Sequence, residues 1–256
     1  AFSINSSTGA LSFITAPDYE APTDSNTDNA YAVDVRVTDG GGLTDTQTVT
    51  VTVTGVNDNS PIFSSGTTVS VTENGFIVMN VAASDADLPG DTVTYSITGG
   101  ADSSLFVIDT STGDLEFVNA PDFEAPEDAG TDNVYNVAVT ATDGTNTTAQ
   151  SIAVTVTNEN DNDPVITSDG GDVFASVTMT ENASFVTTVT ATDADGAVPA
   201  LTYSISATGG SDFALFSINA STGVLSFITA PDWETPLDSG GDNFYDVTVE
   251  ASDGTN

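Results

Sequence analysis

Two short stretches of this chain could do metal chemistry. Asn57-Asp58-Asn59 and Asn160-Asp161-Asn162 each set three consecutive oxygen-bearing side chains between an alternating Val/Thr run and a proline, Pro61 or Pro164. The strips carry no apolar side chain, so packing cannot order them. Three such side chains, with carbonyls released from sheet pairing, make a ligand strip for a hard cation that takes six to eight oxygens. Ca²⁺ is that cation; Mg²⁺, octahedral and slow to shed water, fits less well. Acidic pairs recur elsewhere as Asp18-Tyr19-Glu20, Asp122-Phe123-Glu124 and Asp232-Trp233-Glu234, and as Asp85-Ala86-Asp87 and Asp193-Ala194-Asp195. A single Asp-x-Asp is ordinarily a turn device, its carboxylate bonding nearby backbone amides. Ordered recurrence of several such motifs favours the metal.

The rest of the composition removes competing chemistries. The chain has 256 residues, with 38 acidic side chains, one basic side chain (Arg36) and a formal charge of −37. One cation cannot neutralise a row of phosphates, so nucleic acid is excluded as a partner, and an anionic membrane surface repels such a chain. The sequence contains no His and no Cys. Disulfides, thiolate metal sites and Ser-His or Cys-His catalysis therefore drop out together. No apolar run approaches the roughly 18 residues of a membrane helix, so this segment has no direct membrane insertion. Among the acids, 29 are Asp and nine are Glu, a bias toward the short carboxylate that suits turns and metal loops.

The elements that must position these acids come from an internal repeat. Phe2-Ser3-Ile4-Asn5-Ser6-Ser7-Thr8-Gly9-Ala10-Leu11-Ser12-Phe13 returns, with substitutions, from Phe106 to Phe117 and from Phe216 to Phe227, roughly a hundred residues apart each time. Each copy runs on into Ala-Pro-Asp-aromatic-Glu, an Asp-Asn-x-Tyr segment and a Thr/Ser-Asp-Gly turn. Between turns, Thr48 to Thr54, Thr92 to Ile97 and Ile152 to Thr157 alternate apolar with polar residues. That pattern sends one face inward and a threonine face to water. No segment keeps a helical period. About seven short strands per roughly hundred residues predict an all-β chain of tandem immunoglobulin-like Greek-key β-sandwiches. The boundaries read as 1–60, the later part of a repeat; 61–163, a complete repeat; and 164–256, a repeat lacking its last strand. The sequence is thus expected to be an excerpt of a longer array.

Taken in order, these motifs resemble cadherin repeats over essentially the whole chain. The resemblance implies three Ca²⁺ ions at each complete boundary between repeats, and it assigns ligands position by position. At the first boundary they are Asp18, Glu20, Asn57, Asp58, Asn59, Asp85, Asp87 and Asp143, with Val56 offering its carbonyl. The upstream Glu of that boundary has no counterpart in the chain, which predicts an under-coordinated or missing ion there. At the second boundary they are Glu73, Asp122, Glu124, Asn160, Asp161, Asn162, Asp193, Asp195 and Asp253. Asn160 is implied to coordinate through its side chain, and Glu159 and Asn162 through backbone carbonyls. Glu181, Asp232 and Glu234 match upstream ligands of a further boundary, and Asp39 a downstream ligand of an earlier one.

Departures from the family pattern are specific. Gly55 and Asn158 stand where the linker usually opens with Asp. The stretch from Ala21 to Asn29 is longer than in animal cadherins and looks more like bacterial cadherin-like repeats. No tryptophan stands near the start to imply strand-swap adhesion. The added pairs Asp24/Asp28, Asp128/Asp132 and Asp238/Asp242 could hold a further ion or form an Asx-turn loop, and two carboxylates alone favour the loop. Interchange of Tyr19, Phe123 and Trp233 favours packing over sugar stacking.

The expected function is a non-enzymatic, calcium-stiffened stalk of a bacterial adhesin, extracellular or on the cell surface. Its partners are expected to be the neighbouring repeats of the same chain, with homophilic contacts or polysaccharide beyond them. A carbohydrate-binding module of a secreted protein is the alternative. A glycosidase is disfavoured because the acids recur at boundaries instead of forming one cleft.

Overall fold

The computed structural model describes residues 1–87, 92–196 and 200–255. The described residues form strands joined by turns, with short 3₁₀ turns at Ser103–Leu105, Ser168–Gly170 and Phe213–Leu215. The chain forms two compact units, one made of residues 1–121 and 127–156, the other of residues 122–126 and 157–256.

In the first unit, β1 (Phe2–Ile4) and β2 (Leu11–Phe13) form a hairpin, as do β3 (Ala30–Thr38) and β4 (Thr44–Thr52). There follow β5 (Ile62–Phe63), β6 (Thr68–Thr72), β7 (Ile77–Asn80), β8 (Ala83–Ser84), β9 (Thr94–Gly99), β10 (Phe106–Ile108), β11 (Asp114–Phe117), β12 (Val134–Thr142) and β13 (Thr147–Thr157). One sheet runs β6-β13-β12-β9 and another β10-β11-β7, while β5 pairs with β8. Strands distant in sequence are thus neighbours, as a Greek key requires.

The predicted alternation explains this sheet. Tyr135, Val137, Val139 and Ala141 of β12 are buried with Ile152, Val154 and Val156 of β13, whereas Thr155 between them is exposed. The β12–β13 register is regular from Val134 opposite Thr155 to Thr142 opposite Thr147. It therefore keeps the buried side chains of the pair on one face.

The second unit contains β14 (Val165–Ile166), β15 (Phe185–Thr188), β16 (Ala191–Thr192), β17 (Thr202–Ile205), β18 (Phe216–Ile218), β19 (Val224–Phe227) and β20 (Val249–Ser252). Its pairings are β14-β16, β15-β19-β18 and β17-β20. Phe216, Leu225 and Phe227 form its buried centre, packed against Met179, Val186, Ile205 and Val247 among others.

The recurring motif has a physical reason for each of its parts. The two phenylalanines sit opposite each other across a hairpin in all three copies. Each pair meets the Tyr of Asp-Asn-x-Tyr: Phe117 and Tyr135 have ring centroids 5.2 Å apart, edge to face, and Phe227 and Tyr245 4.9 Å apart. Such contacts each contribute about 0.5–1.5 kcal/mol beyond area burial. The tyrosine hydroxyls then anchor the long loop, accepting from the amides of Thr23, Glu127 and Leu237 at 3.1–3.2 Å. Gly113 closes its hairpin at φ +76°, where an added Cβ would overlap the Val81 carbonyl oxygen. Only glycine satisfies both conditions.

Candidate metal centre

Strand pairing brings the linker acids together. β5 follows the Asn57-Asp58-Asn59 strip and pairs antiparallel with β8, Ile62 opposite Ser84. The residues before β5 and those after β8 therefore finish side by side, which places Asp85 and Asp87 against the strip. Asp143 arrives from the end of β12, and Glu20 from the loop after β2. Carboxylate oxygens of Glu20, Asp58 and Asp87 lie within 4.8 Å of one another, as do those of Asp85, Asp87 and Asp143, so Asp87 belongs to both groups. All five acids belong to the first unit.

Hydrogen bonds hold this arrangement in detail. Asn59 donates its backbone N–H to Asp87 Oδ2 at 2.9 Å and its side-chain Nδ2 to Asp87 Oδ1 at 2.7 Å. The Asp87 amide donates to Asp85 Oδ1 at 3.0 Å. Asp143 Oδ1 accepts from the amides of Thr145 and Asn146, both at 2.6 Å. Asn146 Nδ2 donates to Asn57 Oδ1 at 2.8 Å and to the Asn59 carbonyl at 2.6 Å. Asp18 uses one oxygen in a local turn, accepting from the amides of Glu20 and Ala21. Val56 is exposed beside them.

The charges respond to this crowding. Desolvation, with the nearby charges of Asp87, Asp58 and Asp18, pushes the Glu20 carboxyl above the usual range. The side-chain amide of Asn59, with the backbone N–H groups of Asn59 and Asp58, holds Asp87 below it. Partial burial raises Asp143, but bonds from Asn146 and Thr145 outweigh that and leave it lowered.

The second unit repeats the pattern. β14 pairs with β16, Val165 opposite Thr192, and sets Asn160-Asp161-Asn162 beside Asp193 and Asp195. Asn162 donates its backbone N–H to Asp195 Oδ2 at 2.7 Å and Nδ2 to Asp195 Oδ1 at 2.9 Å. The Asp195 amide donates to Asp193 Oδ1 at 2.9 Å. Asp253 follows β20, is 3% exposed, and accepts from the Thr255 amide. Asn160 Nδ2 donates to the Thr255 hydroxyl. Asp122 accepts from the Glu124 and Ala125 amides in the same turn that Asp18 makes. Glu159 is exposed. Glu73, in the first unit, lies in the turn after β6 and is 2% exposed.

Whether these residues suit a cation is answered by two atoms. Asp85 Oδ2 and Asp193 Oδ2 are shielded from solvent and accept no hydrogen bond from any described residue. A buried carboxylate oxygen without a proton donor is costly and calls for a positive partner. The only basic side chain, Arg36, lies exposed on β3. The donor set is all oxygen, which suits Ca²⁺ chemistry.

Other expected features resolve differently. The added acidic pairs form Asx-turn loops: Asp128 accepts from the amides of Asp132 and Asn133, and Asp238 from those of Asp242 and Asn243. Asp24 accepts from the Asp28 amide in the same way. The packing expected of the three aromatics fails for Trp233, which is 66% exposed. Its backbone is nonetheless held, the amide donating to Glu181 Oε2 at 2.8 Å and the carbonyl accepting from Asn243 Nδ2 at 3.2 Å. Tyr19, 39% exposed, lays its ring over Gly55, where a Cβ would lie 3.0 Å from it, which explains glycine where the linker departs from the family pattern. The matching departure, Asn158, donates Nδ2 to Glu124 Oε1 at 2.9 Å and to the Asp195 carbonyl at 3.2 Å. Asp39 turns inward on its own hairpin, accepting from the amides of Gly41 and Leu43. Glu181, Asp232 and Glu234 gather within 4.8 Å, all exposed.

Known proteins share this sequence pattern and geometry. The profile of the cadherin domain matches residues 67–158. Human protocadherin Fat 1 is 37% identical over 176 residues, 64% of this chain and 4% of that protein. Mouse cadherin EGF LAG seven-pass G-type receptor 2 is 34% identical over 274 residues, 99% of this chain and 8% of that protein. The chain is built of cadherin repeats. The solved cis-dimer of protocadherin gammaB7 EC3–6 superposes on these cadherin repeats with a TM-score of 0.64 at 26% identity, covering 90% of this chain and 56% of that one. The tandem all-β architecture expected from the alternation and turns is that of cadherin repeats. The cadherin repeats described here span less than a tenth of the length of either curated relative.

Sequence reasoning missed three residues. Asn158 stood out only as a departure from the linker pattern, and Asn146 and Asp102 carried no reading at all. For Asp102 a signal existed, since Asp102 and Asp212 both stand four residues before the first Phe of the recurring motif.

Proposed function

We propose that these cadherin repeats bind Ca²⁺ through their linker acids and thereby stiffen the joints of an extracellular adhesion or attachment protein. The observation that carries this reading is the solvent-shielded, donor-less Oδ2 of Asp85 beside Asp87 and Asp143. Bound Ca²⁺ would supply positive charge to these oxygens. In the first unit Glu20, Asp58, Asp85, Asp87 and Asp143 would hold it, with Asn57 and the carbonyls of Val56 and Asn59; Asp18 supports the turn that presents Glu20. In the second unit Glu124, Asn160, Asp161, Asn162, Asp193, Asp195 and Asp253 would act in the same way, with Asp122 and the Glu159 carbonyl. The division into repeats 1–60, 61–163 and 164–256 belongs to this proposal, because each strip then lies at a joint. Neighbouring repeats of the same chain are the partners, with contacts between copies supported by likeness to the protocadherin gammaB7 cis-dimer. The carbohydrate-binding alternative draws support from nothing beyond one exposed Trp233, and acids recurring at joints argue against catalysis.

Limited proteolysis tests the stiffening. Papain, a protease that does not need calcium, is expected to cut near the exposed Val56 at least several-fold faster in EGTA than in millimolar calcium. Equal rates in both would contradict it.

The raised Glu20 carboxyl gives a pH signature. The folded chain binds the Glu20 proton more tightly than the unfolded chain, so the stability tied to it is present at low pH and lost as pH rises through the folded-state value. Asp87 and Asp143 run the other way, contributing above their unfolded values and losing that contribution as pH falls. Calcium binding at about pH 5 is therefore expected to release protons, and Glu20→Gln to reduce the release. Calorimetry in two buffers of different ionisation enthalpy reads the number. Identical heats in both buffers would contradict the assignment of Glu20.

A further inference from the structure

The side-chain amide of Asn146 sits where three oxygens of the proposed ligand set converge. Nδ2 donates to Asn57 Oδ1 at 2.8 Å and to the Asn59 carbonyl at 2.6 Å, and reaches Asp143 Oδ2 at 3.4 Å. These three atoms come from the linker strip and from the end of β12, which one amide group thus joins. An amide NH₂ is a neutral donor carrying partial positive charge on two hydrogens. It therefore offers the same oxygens, weakly and without net charge, what a cation would offer strongly.

The backbone around Asn146 is built to hold that pose. Its amide donates to Asp143 Oδ1 at 2.6 Å, and its carbonyl accepts from the Thr142 hydroxyl at 2.8 Å. The side chain is thus presented from a closed turn. The equivalent position in the Asp39 turn is Leu43, whose amide likewise donates to Asp39 Oδ1 but whose side chain carries no donor. The equivalent after Asp253 is Asn256, which lies outside the described residues.

We propose that Asn146 is a placeholder: in the ion-free chain its amide holds the linker to the Asp143 turn, and a cation must displace it to reach Asn57, Asn59 and Asp143. This rests on the calcium reading above, and adds that the site's affinity is set partly by a competing residue of the chain itself. Breaking two good neutral hydrogen bonds on entry lowers the intrinsic affinity by about tenfold. In exchange, the ion-free linker stays ordered instead of splaying under the repulsion of its own acids.

The full 256-residue chain tests this in two arms. In EGTA, amide hydrogen exchange across residues 57–60 is read in the wild type and in Asn146→Ala and Asn146→Leu, the latter keeping bulk without a donor. At least fivefold faster exchange in both variants is expected; unchanged exchange overturns the placeholder whatever calcium does. Calcium titration by calorimetry is then run on the same proteins, with Asp143→Asn as a control that should weaken binding. Tighter binding of one ion by about tenfold in Asn146→Ala supports the proposal. Equal or weaker binding in that variant overturns displacement and makes Asn146 a supporting residue. No calcium binding by the wild type overturns the calcium reading itself, and the exchange arm then decides the ion-free role alone. A variant that fails to fold would show protection lost throughout the first unit, and the other of the two variants would then be read in both arms.

Discussion

Asp87→Ala is expected to lower the calcium affinity of the first strip by about two orders of magnitude or more. Loss of a residue that merely supports a ligand commonly costs about 10- to 100-fold, and Asp87 stands in two acid groups at once. It also accepts both the backbone and the side-chain donors of Asn59, so its removal loosens the strip that carries the other ligands. Asp45→Ala, an exposed acid of β4 that accepts only from a neighbouring amide, serves as the control and should leave affinity within about twofold. Calorimetric titration of the two variants reads the difference. Equal affinity in Asp87→Ala and the wild type would remove Asp87 from the site.

Asp102→Ala is expected to destabilise the first unit by about 3 kcal/mol or more. Asp102 is 3% exposed. Its Oδ1 accepts from the Ala129 amide at 2.7 Å and its Oδ2 from the Asn136 amide at 2.6 Å. Hydrogen bonds to a charged group are each worth about 1.5–3 kcal/mol, and truncation leaves both amides without their acceptor. Those amides belong to the long loop and to β12, so the carboxylate pins the loop to the sheet that ends at Asp143. Asp212 repeats the arrangement with Ser239 and Asp246 at 2.7 and 2.9 Å, and Asp212→Ala should weaken the second unit comparably. Urea denaturation followed by far-UV circular dichroism measures both. A loss below about 0.5 kcal/mol, the range of ordinary surface changes, would contradict the role.

Much of this architecture was legible because the strands obey simple periods. Ile152 to Thr157 reads as a strand with one buried face, and Ile152, Val154 and Val156 are the residues buried. The strips and the Asp-x-Asp pairs were also legible, since their recurrence in order separated them from ordinary turns. Their convergence follows from a two-residue pairing, β5 with β8 and β14 with β16, too short to stand out in sequence.

What sequence hid was the second use of each polar residue. Asn59 and Asn162 were read as oxygen donors to a metal, yet their amide groups bind Asp87 and Asp195. Asn146 drew no reading because its partners lie far off in sequence, the Asn57 contact spanning a separation of 89. Asp102 drew no reading because burial of an acid depends on amides brought from elsewhere in the chain, here those of Ala129 and Asn136. Trp233 was read as core from its interchange with Tyr19 and Phe123, but a position between two acids in a turn need not face inward. Tyr19 finds its contact only because Gly55 leaves room for its ring.

The central claim is that the linker acids are calcium ligands. Isothermal titration of the chelator-treated chain with calcium, beside an identical titration with magnesium, tests it most directly. Saturable uptake of more than one Ca²⁺ per chain, with weaker or no uptake of Mg²⁺, is the predicted result. Heats that never saturate, or equal response to the two ions, would contradict it.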